Sequence, residues 1–222
     1  MGCYPTKHME RDVAILMADL TGYTAMTDIH GGASAAKMVD KYLLLVDKAC
    51  CGQCKPVQRI GDQVVMISEK AIDVAMTAQC LNILTLEEHD FLAVHSGIHF
   101  GSIFEKNGNY FGSTINIASR IMNLAKRGQV LCSDAFVNKI GIQSAFEVKP
   151  LGKAKLKNVS KEIEIYELFS PSKVTSSFPI DPVCHMHVDP TKCDISLQYE
   201  GEHYYFCSQQ CLNLFMERIA SN

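Results

Sequence analysis

The stretch RDVAILMADLTGYTAMT, residues 11–27, decides the reading of the fold. Val13 to Ala18 is an unbroken apolar run bounded by charge, which reads as a strand buried on both faces. Asp19 closes that strand with a carboxylate. The turn Thr21-Gly22-Tyr23-Thr24 follows at once, and its backbone N–H groups are placed to face a phosphate. Working outward, Ser34 reads as the N-cap of a helix reaching to about Cys51, with Met38, Tyr42, Leu45, Val46 and Ala49 at helical spacing. PVQRI and QVVMIS, joined by Gly61-Asp62, predict a tight β-hairpin.

Further along, the pattern predicts a helix over 70–86, strands over 91–105 with a turn at Asn107-Gly108, and a helix from about Gly112 to Lys126. QVLCS, AFEVKPL and EIEIYELF read as short strands around one more helix near 133–140. The order β-α-β-β-α-β is that of an α/β (α+β) ferredoxin-like core with additions. At PSKVTSS, residues 171–177, the composition becomes that of a linker. The chain thus divides into a domain at 9–170, a linker at 171–177 and a small domain at 178–222, too short to fold on apolar burial without a metal or disulfides.

Of 222 residues, 21 are Lys or Arg and 24 are Asp or Glu; a net charge of −3 excludes the basic signature of a nucleic-acid binder. No apolar run approaches the ~20 residues of a transmembrane span. MGCYPTKHME lacks the apolar region of an export signal, so a reducing, cytoplasmic setting is expected for the ten cysteines. Gly2 and Thr6 fit an N-myristoylation pattern, with Cys3 as a second acylation site.

Asp19 at the end of the first strand and Asp62 on the hairpin tip belong to neighbouring strands in such a sheet. Read singly, each is a turn residue; as a converging pair they suit one or two Mg²⁺ ions, which favour a few carboxylate oxygens plus substrate phosphates. Asn116 and Arg120 stand four residues apart and share one helical face, an amide beside a guanidinium suited to a phosphate gaining charge.

VAILMADLTGYTAMT, VQRIGDQVV and GNYFGSTINIASRI, in that order and spacing, resemble the class III adenylate/guanylate cyclase catalytic domain over roughly residues 9–169. The resemblance implies that Asp19 and Asp62 hold two Mg²⁺ or Mn²⁺ ions and that Asn116 and Arg120 orient the ribose and stabilise the transition state. Lys157 in GKAKLKNV is the nearest match to the family's polyphosphate-binding basic residue, with Lys153 and Lys155 as neighbouring candidates. The implied reaction is in-line attack of a ribose 3′-hydroxyl on the α-phosphate of an NTP, ATP first, releasing pyrophosphate. Family sites form between two domains, aspartates from one and the Asn/Arg pair from the other, so a homodimer is expected.

The sequence departs from the family at base selection. Adenylate cyclases carry Lys and Asp, and guanylate cyclases Glu at the first position, where this chain has Gln58 and Asn109. Two carboxamides can each donate or accept, so the base is left open. Ser113 stands where many members carry Asp. A catalytically silent nucleotide-binding or metal-sensing regulator on the same fold is the second reading.

Four cysteines fall in the last 39 residues. Cys184, Cys207 and Cys211, with His185, His187, Cys193 and His203 nearby, suit Zn²⁺, or Cu(I) with Met186. DPVCHMHVDP and YEGEHYYFCSQQCLNLF resemble the YHS domain, a small treble-clef-like metal-binding module, although His185 replaces its usual Gly. By that resemblance Cys184, Cys207 and Cys211 are ligands, and the fourth is open among His185, His187, Cys193 and an exogenous group. Such a site is either structural or a sensor of metal. Cys51-Gly-Gln-Cys54, beside Cys50, reads as free thiols or a small metal or disulfide site, Cys80 and Cys132 as core residues, and His95 and His99 as packing residues on one strand face. His30 and His89 have no assigned role.

Overall fold

The computed structural model describes residues 9–141, 146–169 and 178–221. The acylation pattern at Gly2, Cys3 and Thr6 and the linker at 171–177 lie outside these residues. The first strand, β1 (Met9–Leu20), lies inside the sheet, with a strand paired on either side. Its period-2 side chains are buried on both faces, Ala14, Leu16 and Ala18 on one and Val13, Ile15 and Met17 on the other, as the apolar run predicts.

After β1 come α1 (Tyr23–Ala49), β2 (Lys55–Ile60), β3 (Gln63–Ser68), α2 (Ala71–Glu87) and β4 (Val94–Lys106). The strands lie in the order β2-β3-β1-β4, and β1 pairs antiparallel with both β3 and β4, the ferredoxin-like arrangement. Helices α1 and α2 share the face of Ala14, Leu16 and Ala18, where Tyr42, Leu45, Val74 and Leu81 join one core. The chain then adds β5 (Asn109–Phe111), α3 (Ser113–Met122), β6 (Val130–Ser133), α4 (Asp134–Ile140), β7 (Glu147–Ala154) and β8 (Ile163–Phe169). β6 pairs parallel with β4 and carries β8 and then β7 beyond it. Helix α3 covers the other face of β1 through Ala118 and Met122. It approaches so closely that a Cβ on Gly97 of β4 would run into the backbone of Ala118 and Met122.

Two elements differ from the sequence reading. Helix α1 begins at Tyr23, well before Ser34, and is broken at Gly31 (φ 78°, ψ 168°). The Thr-Gly-Tyr-Thr stretch and the Gly31-Gly32 pair carry turn chemistry, but burial of Met26 and its packing into the core favour the extra helical turns. The Thr27 hydroxyl donates to Tyr23 O within those turns, at 2.8 Å. Strand β5 was not anticipated; the positive-φ turn at Asn107-Gly108 folds it back on β4, pairing Asn109 with Lys106.

The C-terminal part forms a loop, a hairpin of β9 (Ser196–Tyr199) and β10 (Glu202–Tyr205), and α5 (Gln209–Ala220), the expected treble-clef-like order. It does not stand apart. Val183, Cys184, Met186, Phe206 and Cys211 are buried in the same core cluster as Met26, Met38 and Phe91. A tail too short for its own core uses that of its neighbour.

Candidate functional site

Asp19 lies opposite His95 in the β1–β4 ladder, and Asp62 stands in the turn after β2. The β1–β3 pairing brings the two carboxyls within hydrogen-bond reach, as the hairpin reading expects. Asp62 is pushed up to about 7, first by burial and then by its hydrogen bond to Asp19 and that residue's negative charge. Two carboxyls drawn this close form a set of oxygen donors that fits a hard divalent ion. Among the described residues the hydroxyl of fully buried Tyr42 has no hydrogen-bond partner, and burial followed by the charges of Asp19 and Asp62 raises its pKa.

The turn after Asp19 is less open to phosphate than expected. The Thr21 N–H donates to Ala93 O at 2.9 Å, and the Thr21 hydroxyl lies 3.0 Å from His95 Nδ1. Thr21 is therefore occupied in holding β1 against the start of β4. The first intrahelical bond runs from Met26 N to Gly22 O, so the N–H groups of Tyr23, Thr24 and Ala25 make no bond within the helix. Gly22, with φ +92°, has no cap hydrogen bond from its own residue.

Asn116 is exposed and Arg120 half-buried on α3, one turn apart as the spacing predicts. Among the described residues neither has a side-chain partner, and no ion pair joins Arg120 to Asp19 or Asp62. Gln58 is exposed on the edge strand β2, next to a bulge, and Asn109 is exposed on β5, its amide donating weakly to Asn107 O at 3.4 Å. Lys157 is exposed in the turn after β7. One chain therefore brings the two aspartates together and leaves Asn116, Gln58, Asn109 and Lys157 exposed.

The tail assembles a second site. Cys207 Sγ lies 3.4 Å from Cys184 Sγ and 3.6 Å from Cys211 Sγ. Asp181, fully buried, holds the loop in place by accepting from the N–H groups of Val183, Cys184 and Cys207. Ser208 caps α5 by accepting from Cys211 N at 3.2 Å, which fixes Cys211 in the first turn. The cysteines are free thiols sharing protons: Cys207 is pushed up by its hydrogen bonds to Cys184 and Cys211, and Cys211 is pulled down by its bonds to Cys184 and Cys207.

A further potential donor, not among those considered from sequence, stands beside the three thiols. His30 Nε2, in α1, lies 3.4 Å from Cys207 Sγ and 3.6 Å from Cys211 Sγ, and the four donor atoms fall within 4.8 Å of one another. Cys193 instead donates to Phe206 O, and His185 packs on Gly22. His187 is buried, and burial pushes its pKa down to about 4. Nothing local marks His30, because its partners are 177 and 181 positions away.

The tail is also tied to the larger domain by its backbone. His187 N donates to Phe91 O and Asp90 N donates to His187 O, both at 2.8 Å. Arg127 donates to His185 O at 2.6 Å, and burial lowers its pKa to about 10. Cys50, Cys51 and Cys54 are free thiols between α1 and β2, and burial pushes Cys54 up to about 12. His99 is nearly buried, with Nδ1 2.7 Å from Ser133 Oγ, in keeping with a packing role.

Residues 6–170 match the adenylate and guanylate cyclase catalytic domain family, and residues 180–218 match the YHS domain. The chain belongs to the class III cyclase catalytic-domain family. An adenylate cyclase of Streptomyces coelicolor is 26% identical over 133 residues, 60% of this chain and 35% of that protein. A pH-sensitive adenylate cyclase of Mycobacterium tuberculosis is 21% identical over 161 residues, 71% of this chain and 41% of that protein. The chain thus spans well under half the length of these curated relatives. Among solved structures, the adenylyl cyclase CyaB of P. aeruginosa covers 75% of this cyclase-family chain and 98% of its own, with TM-score 0.65 at 15% identity. The guanylate cyclase domain of RhGC from Catenaria anguillulae, solved with GTP, covers 74% and 100%, with TM-score 0.66 at 17% identity. At these identities the structures share the fold.

Proposed function

We propose that this chain is a nucleotidyl cyclase that converts an NTP to a 3′,5′-cyclic nucleotide and pyrophosphate, at sites shared between two copies. The observation that carries the reading is the meeting of Asp19 and Asp62 at one end of the sheet while Arg120 and Asn116 stay unpartnered on α3. Asp19 and Asp62 offer the oxygens for Mg²⁺ or Mn²⁺; when bound, the ions supply charge neutralisation at the phosphates and a lower pKa for the ribose hydroxyl. The N–H groups of Tyr23 and Thr24, which make no bond within the helix, bind phosphate oxygens. Arg120 from the second copy balances charge building toward pyrophosphate, Asn116 orients the ribose, and Lys157 steadies the polyphosphate. Exposed Ile60 beside Asp62 and exposed Phe111 before α3 favour a second copy as the cover.

Gln58 and Asn109 face the base. Their carboxamides accept either purine, and ATP is the preferred reading on the strength of the adenylate cyclase relatives. The chain works as two units, 9–170 for catalysis and 178–222 for metal. In the tail, three thiols and an imidazole at these separations fit Zn²⁺: bonds of about 2.3 Å to sulfur put tetrahedral sulfur–sulfur edges near about 3.8 Å. Incubating the purified chain with each NTP and Mg²⁺ or Mn²⁺ tests the cyclase reading. A 3′,5′-cyclic product supports it, and its absence with every NTP favours the silent regulator instead.

A further inference from the structure

We infer that His30, a residue of the cyclase domain, is the fourth ligand of the tail's metal site, so that the metal is a latch between the two domains. The inference rests on the proposed metal-binding role of Cys184, Cys207 and Cys211 and deepens it. Three donors come from the tail and one from α1, and all four lie within 4.8 Å of one another. His30 is only half-buried and ends the first segment of α1, immediately before the break at Gly31. Its ring nitrogen Nε2 meets the tail thiols of Cys207 and Cys211.

The surroundings hold the same segment at both ends. Gln210 Nε2 of α5 donates to Ile29 O at 3.0 Å beside the thiols. At the other end Gly22 fits beneath His185, and a Cβ there would lie 2.9 Å from the histidine Cβ. The tail therefore touches the segment near both of its ends, at Gly22 and Ile29, and this segment begins just after Asp19. A metal that needs all four donors binds only the docked arrangement, so by linkage its binding free energy also favours docking. The site is not sealed. A cavity of about 320 Å³ opens onto His30 and Cys207 between Met26, Lys37 and Met186, giving ions a route in and out.

The test is cobalt(II) titration of the reduced full chain without nucleotide, followed by hydrogen exchange at residues 23–30, for wild type, His30→Ala and His30→Cys. The latch requires tetrahedral d–d bands and metal-dependent protection of 23–30 in wild type. His30→Ala should lose the protection and bind on the order of tenfold or more weakly. His30→Cys should restore both and raise the thiolate charge-transfer band by roughly a third, four sulfurs replacing three. Equal affinity, spectrum and protection in wild type and His30→Ala overturn the latch while leaving a tail metal site intact. Failure of wild type to bind cobalt overturns the tail metal site as well, and neither result depends on cyclase activity.

Discussion

Gly22 of the cyclase domain lies directly under His185 of the tail, at φ +92° and with no room for a side chain between them. The turn that follows Asp19 is thereby also a surface on which the tail rests. Gly22→Ala introduces both left-handed strain and a steric conflict, and is expected to cost about 1–3 kcal/mol of stability. Denaturant unfolding of the variant measures the loss, and wild-type stability in Gly22→Ala would contradict the contact.

A site split between two copies has an arithmetic signature. Asp19→Ala and Arg120→Ala should each be inactive alone. Mixed in equal amounts, half of the dimers are mixed and each holds one intact site of two, so recovery of about a quarter of wild-type activity is expected. Cyclic nucleotide formation in the mixture checks this, and no recovery excludes a shared site.

Base selection should be movable. Gln58→Lys with Asn109→Asp replaces two ambivalent carboxamides by a fixed donor and a fixed acceptor, and charge-assisted bonds are stronger than neutral ones. The double variant is expected to favour ATP over GTP by about tenfold or more relative to wild type, the equivalent of ~1.4 kcal/mol. Competition between the two nucleotides measures the ratio.

His99 gives the fold an acid sensitivity of known sign. Burial pushes it down to about 4, against an opposing charge from Asp134, and its Nδ1 faces the hydroxyl of Ser133, which also caps α4. A folded pKa below the unfolded value means the stabilisation is fully present above about 6.5 and is lost as the pH falls from there toward 4. At most about 3 kcal/mol rides on this group. His99→Gln should flatten the fall in melting temperature over that range, and an unchanged profile would assign the sensitivity elsewhere.

The central fold was legible because its signals are local. The apolar run at 13–18, the Gly61-Asp62 hairpin and the helical spacing through Met38, Tyr42 and Leu45 each report a period that backbone geometry imposes. The early start of α1 was not legible, since turn-forming Thr21 and Gly22 precede it, Thr24 stands in its first turn, and only packing of Met26 into the core reverses that preference. The same limit applied to Thr21, whose N–H looked free for phosphate until Ala93 O was found to accept it.

The sequence by itself determined the βαββαβ order, the paired aspartates, the Asn116/Arg120 face and the three tail thiols, because spacing along a strand, hairpin or helix turn fixes which side chains can meet. Only the tertiary structure decided which surfaces close on each other. It brought His30 to cysteines 177 and 181 positions away, laid His185 on Gly22 and merged the tail's Phe206 and Val183 with the cyclase core. Periodicity tells which face of an element is buried; what it is buried against follows from the shape and unsatisfied surface of a distant segment, and a tail with too little core of its own had to find that surface on the first helix.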